Sequence, residues 1–93
     1  MYARITTFEG GTDIDGAVAD MMSADGPPAG VPATELYVFA DKAAGKVITI
    51  SFFETEEDLH TGHATLNTMS PDTSRFGMRT GVDLVELLKH MKA

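Results

Sequence analysis

One stretch, residues 46–70 (KVITISFFETEEDLHTGHATLNTMS), limits the possible folds more than any other. Its first part, 46–53, is β-branched and aromatic, carries no charge beyond Lys46 and has no breaker, so it reads as a strand. Glu54 closes that run. Thr55 is a good N-cap, and Glu56, Glu57 and Asp58 fill the first turn of a helix, where the dipole favours negative charge. The helix is expected over 56–69. Ser70-Pro71-Asp72 stops it, because proline disfavours helical geometry in the residue before it. A strand passing straight into a capped helix requires a layered α+β domain in which the helix covers one face of a sheet.

The rest of the chain supplies the sheet. Residues 2–9 (YARITTFE) read as a first strand ended by Gly10-Gly11. Thr12 is the expected N-cap of a helix over 13–23, with Asp15 at N3 and an apolar stripe of Ile14, Val18, Met21 and Met22. Gly16 weakens that helix by roughly 1 kcal/mol relative to alanine. Residues 25–32 (DGPPAGVP) are a connector, with prolines that lack amide donors. Residues 35–41 and 46–53 form strands two and three, joined by a short turn in which Gly45 is free to take a left-handed conformation. Residues 73–80 read as irregular. Residues 81–88 fit both a helical stripe and a strand alternation. The strand assignment is preferred, with a helical or frayed tail from Lys89, because it completes a ferredoxin-like β-α-β-β-α-β unit with an antiparallel sheet.

Composition narrows the function classes. With 93 residues a single domain, 1–93, is expected, and a chain this short buries only roughly 60–65% of its unfolded surface. The absence of cysteine excludes disulfide and thiolate chemistry. No apolar run is long enough for a membrane span, and the N-terminus has no secretory pattern, so a cytoplasmic protein is expected. A formal net charge of −7 argues against nucleic acid as a partner. Strand three sets Ile48, Ile50 and Phe52 on one face and Val47, Thr49, Ser51 and Phe53 on the other. Strand two sets Leu36, Val38 and Ala40 against Tyr37 and Phe39. Strands with two uncharged faces are covered on both sides. Helices cover one, and a second copy of the same sheet is the economical cover for the other, giving a two-fold homodimer.

The segments Tyr2-Ala3-Arg4-Ile5-Thr6-Thr7-Phe8-Glu9-Gly10, Ile50-Ser51-Phe52-Phe53-Glu54-Thr55-Glu56-Glu57-Asp58-Leu59 and Leu66-Asn67-Thr68-Met69-Ser70-Pro71 resemble the dimeric α/β-barrel superfamily, particularly its antibiotic-biosynthesis-monooxygenase-like group. The resemblance spans nearly the whole chain and is architectural. It implies a pocket between the helices and the concave side of the sheet. It implies a small organic ligand and no cofactor, and it leaves open whether the protein is an enzyme. The superfamily includes cofactor-free oxygenases, haem-degrading enzymes and proteins with no assigned reaction, and fold alone does not choose among them. The haem-degrading members use a second-helix histidine with a strand-one asparagine and a tryptophan. This chain has neither of the last two, so haem degradation is not expected.

On the second helix, Leu59, Gly62, Leu66 and Met69 form the sheet-facing stripe, and His63 lies at its edge. His63 is therefore the first candidate for base, donor or ligand contact. Tyr37 is the second catalytic candidate. Asn67, Arg79, His60 and Phe52 are the expected ligand contacts, and Arg75 is a further surface cation. His60 and His63 have helical spacing that would let both reach one metal, yet no third ligand is specified and no metal motif is present, so no metal is expected. The functions left open are a cofactor-independent monooxygenase-like enzyme acting on an aromatic or polyketide-like substrate, a non-catalytic dimeric binding or accessory module, and a haem-binding protein using His63.

Overall fold

The alternation of strand residues and the two capped helices assemble as the residue pattern requires. The computed structural model describes residues 1–22, 26, 28–68 and 77–92, with the side chains of Met21 and Met22 outside the description. The elements are β1 (Tyr2–Gly10), α1 (Ile14–Met22), β2 (Glu35–Asp41), β3 (Lys46–Phe53), α2 (Glu56–Asn67) and β4 (Gly77–Glu86). The strands form one antiparallel sheet in the order β2-β3-β1-β4. Gly45 turns the β2–β3 hairpin with φ 66°, and its carbonyl accepts from the Gly10 amide at 3.0 Å, which fastens the turn to the end of β1.

Thr55 caps α2 as its sequence demands: its backbone is extended, and its hydroxyl accepts from the Asp58 amide at 3.0 Å. Two boundaries differ from the sequence reading. Asp13, not Thr12, caps α1, because its carboxylate accepts from the Gly16 amide at 3.1 Å. Aspartate accepts as well as threonine at this position and adds a negative charge at the positive end of the dipole. β4 begins at Gly77 rather than 81, since pairing with β1 continues up to Gly10↔Gly77. Residues 87–92 have no regular structure, so of the helical or frayed tail expected from Lys89 the helical alternative is not formed. Leu88 and Met91 are 88% and 74% exposed, and a short helix without a surface to bury against does not hold. The proposed helix stop at 70–72, Met69, Arg75 and the irregular segment 73–76 lie outside the described residues, as do 23–25 and 27 of the connector.

Register decides which side chains share a face. Phe8 pairs with Val47 and Tyr2 with Phe53, so these four lie on one face with Arg4, Thr6, Thr49 and Ser51. Ile14 of α1 packs on Phe8 and Val47, with Val18 and Val38 around them. Leu59 of α2 packs on Phe53 with Val31, flanked by Tyr2, Ala33 and Leu66. Both helices therefore cover the same face. Val31 is a core residue hidden in the proline–glycine connector, where no periodicity marks it.

The opposite face has no helix among the described residues. Across it run Tyr37, Ile50 and Ile5 in one row and Phe39, Ile48 and Thr7 in the next. Tyr37 and Phe39 stack at 6.4 Å, and Tyr37 meets the Phe52 ring edge-on at 5.8 Å. Tyr37 and Phe39 stay 48% and 55% exposed, so the rings are held mostly by one another.

Gly62 is the point of closest approach between α2 and the sheet. A Cβ there would stand 2.5 Å from Phe53 Cε1 and 2.7 Å from Cζ, and Phe53 is fully buried. Gly62→Ala is expected to destabilise the protein by about 1–3 kcal/mol through overpacking, despite alanine's better helix propensity. Gly81→Ala, with open space at the same position, is the control. Urea denaturation of both variants checks the contrast, and an unchanged midpoint for Gly62→Ala contradicts the close packing.

Candidate functional site

A guanidinium inside a small domain is the unusual chemical feature of this structure. The alternation of β1 puts Arg4 on the same face as Thr6 and Phe8, under α2, and only 6% of it is exposed. Its Nε donates to His63 Nδ1 at 3.1 Å, its Nη1 to Thr6 Oγ1 at 2.8 Å and its Nη2 to Asn67 Oδ1 at 3.4 Å. Thr6 is 1% exposed, so the innermost of these bonds is away from water. Arg4 thus joins β1 to two successive turns of α2, because residues 63 and 67 stand on one helix face.

A second guanidinium reaches the same point from β4. Arg79 Nη1 donates to Asn67 Oδ1 at 2.9 Å. Its position depends on a β-bulge. The β1–β4 register slips between Thr7 and Phe8, so that Thr7 faces Gly81 and Phe8 faces Arg79, with Thr80 as the extra residue. Without the slip Arg79 would stand opposite Glu9 and project from the other face. Bulges are a common device for re-aiming a side chain in this way. Further along β4, Leu84 pairs with Arg4 and Val82 with Thr6, giving the cluster an apolar flank.

Burial, followed by the charge of Arg79, lowers the pKa of Arg4 from the usual guanidinium value. An arginine remains charged under such a shift. Burial first, then Arg4, Arg79 and His60, holds His63 below the usual imidazole value, so His63 is neutral at pH 7. Lys42 pairs with Asp15 and His60 Nε2 lies 3.5 Å from Glu56, while Arg4 and Arg79 make no ion pair with a carboxylate among the described residues. The site is a cationic pair with a neutral imidazole and an amide between them.

The sequence candidates divide into two groups. His63, Asn67 and Arg79 come together, while Tyr37 and Phe52 lie on the helix-free face, where Tyr37 donates to Glu35 at 3.3 Å. His60 is turned outward, 3.5 Å from Glu56. No group of three histidines, cysteines or carboxylates among the described residues is placed to hold a metal. Both ring nitrogens of His63 are engaged, Nδ1 by Arg4 and Nε2 by Asn67 Nδ2 at 3.1 Å, so ligation of haem iron would first have to break one contact. The sequence reading overlooked Arg4 and Thr6. Their signal is the alternation of Tyr2, Arg4, Thr6 and Phe8, which assigns Arg4 to the face of a core phenylalanine.

No family model matches this chain, and no curated protein or solved structure matches it. No helix among the described residues is long and apolar enough to cross a membrane.

The lowered pKa of His63 has a definite consequence for stability. The unfolded chain binds the imidazole proton at about pH 6.5, more tightly than the folded protein does. Above that pH the group contributes no penalty. As pH falls below it, the unfolded state takes up the proton first, and stability is lost until the folded-state pKa is passed. The stability of the wild-type protein is expected to decline more steeply below pH ~6.5 than that of His63→Gln. Urea midpoints measured across that range check the difference, and parallel profiles contradict it.

Proposed function

We propose that the chain is a small-molecule-binding protein of the dimeric α/β-barrel kind, with ferredoxin-like topology and a ligand site between α2 and the sheet. The observation that carries the reading is the Arg4–His63–Asn67–Arg79 cluster: two guanidiniums converge on one oxygen beside an apolar flank. Arrangements of a few convergent polar groups against apolar walls are what ligand sites require. The strand order β2-β3-β1-β4, with both helices on one face, supports the ferredoxin-like assignment.

The helix-free face supports the homodimer. Its centre is apolar and aromatic (Ile5, Tyr37, Phe39, Ile48, Ile50 and Phe52), and its rim carries Glu35 and Asp83. An apolar core inside a polar rim is the anatomy of a protein–protein interface. A second copy of the same sheet covers this surface with two-fold symmetry.

Of the roles open to such a protein, ligand binding is favoured over catalysis by a His63 base. The lone pair on Nδ1 already accepts from Arg4, and Tyr37 is on the other face, so the two candidate acid–base residues do not meet within one protomer. A cofactor-independent monooxygenase-like activity on an aromatic or polyketide-like substrate is the second reading. It is favoured by the two guanidiniums and Asn67, which stabilise a negative charge developing on a bound substrate oxygen.

Two measurements test the proposal. Light scattering on the intact chain is expected to give a dimer, and Phe39→Glu, which places a charge in the middle of the helix-free face, a monomer. A wild-type monomer would remove the barrel assignment. Titration with hydroxylated polycyclic aromatics is expected to move the backbone amide resonances of Thr6, His63 and Asn67. If every such compound leaves those resonances in place, the site is elsewhere.

A further inference from the structure

The hydrogen bonds of the cluster do not close. Arg4 and Arg79 bring only donors, and Asn67 adds two more through Nδ2. The acceptors facing them are Thr6 Oγ1, His63 Nδ1 and Asn67 Oδ1. Because Nδ1 accepts from Arg4 Nε, a neutral His63 carries its proton on Nε2. Nε2–H then points at Asn67 Nδ2, also a donor, at 3.1 Å. Turning the Asn67 amide over mends that contact and spoils another, since Nδ2 would then face Nη1 of Arg79 and Nη2 of Arg4. Every buried side-chain polar atom among the described residues has a neighbour, so the fault is a neighbour of the wrong kind. Asn67 and Arg79 are exposed, so water can serve their outer donors, but among the described residues the set offers its inner donors few acceptors and its two positive charges no carboxylate.

We propose that the cluster receives the carboxylate of a small organic acid. One carboxylate oxygen lies beside the Asn67 amide and, in place of Asn67 Oδ1, accepts from Arg4 Nη2 and Arg79 Nη1. The other extends along the planar fork of Arg79, a group shaped for two-point contact with a carboxylate. Asn67 is thereby released to turn its amide, and its Oδ1 accepts from His63 Nε2–H. The His63–Asn67 conflict is then resolved, and the carboxylate offsets one of the two positive charges. The apolar body of the acid lies along β4 on Leu84 and Val82, which stand beside Arg4 and Thr6 on the same face. Leu84 is 36% exposed and open to such a contact. This inference rests on the reading that a ligand binds under α2, and it adds the charge and class of that ligand.

The test compares sodium benzoate with benzamide, which has the same ring and shape without the charge. Both are titrated into the full chain to about 10 mM, in the range where weak site binding is read. The signals followed are the side-chain amide of Asn67 and the ring of His63. Benzoate is expected to give saturable shifts at both residues and to bind at least about tenfold more tightly than benzamide, the usual scale for a charge-assisted hydrogen bond. Arg79→Gln is expected to weaken benzoate by a similar factor and to leave benzamide nearly unchanged. Arg79 is exposed, so this variant is expected to keep the fold, which far-ultraviolet circular dichroism verifies. Equal affinity for the two compounds, or benzoate binding that is indifferent to Arg79→Gln, overturns the carboxylate inference while leaving the site under α2 in place. Silence of Asn67 and His63 toward both compounds overturns the carboxylate inference, and silence toward the hydroxylated polycyclic aromatics as well overturns the site.

Discussion

A guanidinium withdrawn from water must replace its hydration with acceptors held by the protein, and in this chain that need ties the sheet to α2. Arg4 starts from the centre of the sheet and engages His63 and Asn67 on neighbouring turns of α2 and Thr6 on its own strand. Removing the Thr6 acceptor leaves a buried donor without a partner, which costs more than the bond itself contributes. The apolar contact of Leu59 with Phe53 gives α2 its attachment, and the arginine fixes its rotation. Nothing apolar would do the second task, because dispersion contacts are not directional.

Much of the architecture was legible because its causes are local. Strand alternation in 46–53, the Thr55 cap and the Gly45 turn each depend on residues a few positions apart, and each is found in the structure. The register of β4 is different in kind. Its early start at Gly77 and its bulge at Thr80 arise from pairing with β1, more than sixty residues away in sequence, and no local pattern in TSRFGMRT encodes them. Arg79 could be named as a candidate from its residue type, but its arrival beside Asn67 could not be foreseen without the bulge. Arg4 was overlooked for another reason. A charged residue in a strand reads as solvated, and only the company of Tyr2, Thr6 and Phe8 on its face says otherwise. Tyr37 shows the limit of alternation: Leu36, Val38 and Ala40 oppose Tyr37 and Phe39, and with both sets apolar nothing in β2 tells which side the helices take.

The two faces of the sheet consequently have separate tasks. The helix-covered face holds the small core and the cationic cluster, and the other face holds an aromatic ladder that no helix among the described residues covers. A domain of this size has little apolar surface to spare, since small domains bury a smaller share of what they expose on unfolding. Leaving so many large side chains half-covered is consistent with stability being completed by association. The helix-covered face then remains available for chemistry that association does not disturb.

Gly62 gives the helix a pivot. At that residue the backbone of α2 rests almost directly on the Phe53 ring, with no side chain between them to compress. The helix cannot sink there, and lifting it there would uncover the most deeply buried ring among the described residues. Any tilt of α2 against the sheet would therefore turn about Phe53. The arm from Gly62 to Asn67 is about 7.5 Å long at the ordinary helical rise, so a few degrees of rotation open a fraction of an ångström at its tip. The Thr55 end would then move the opposite way, toward the sheet, with the cap turn and the far end of the helix on either side of one aromatic ring.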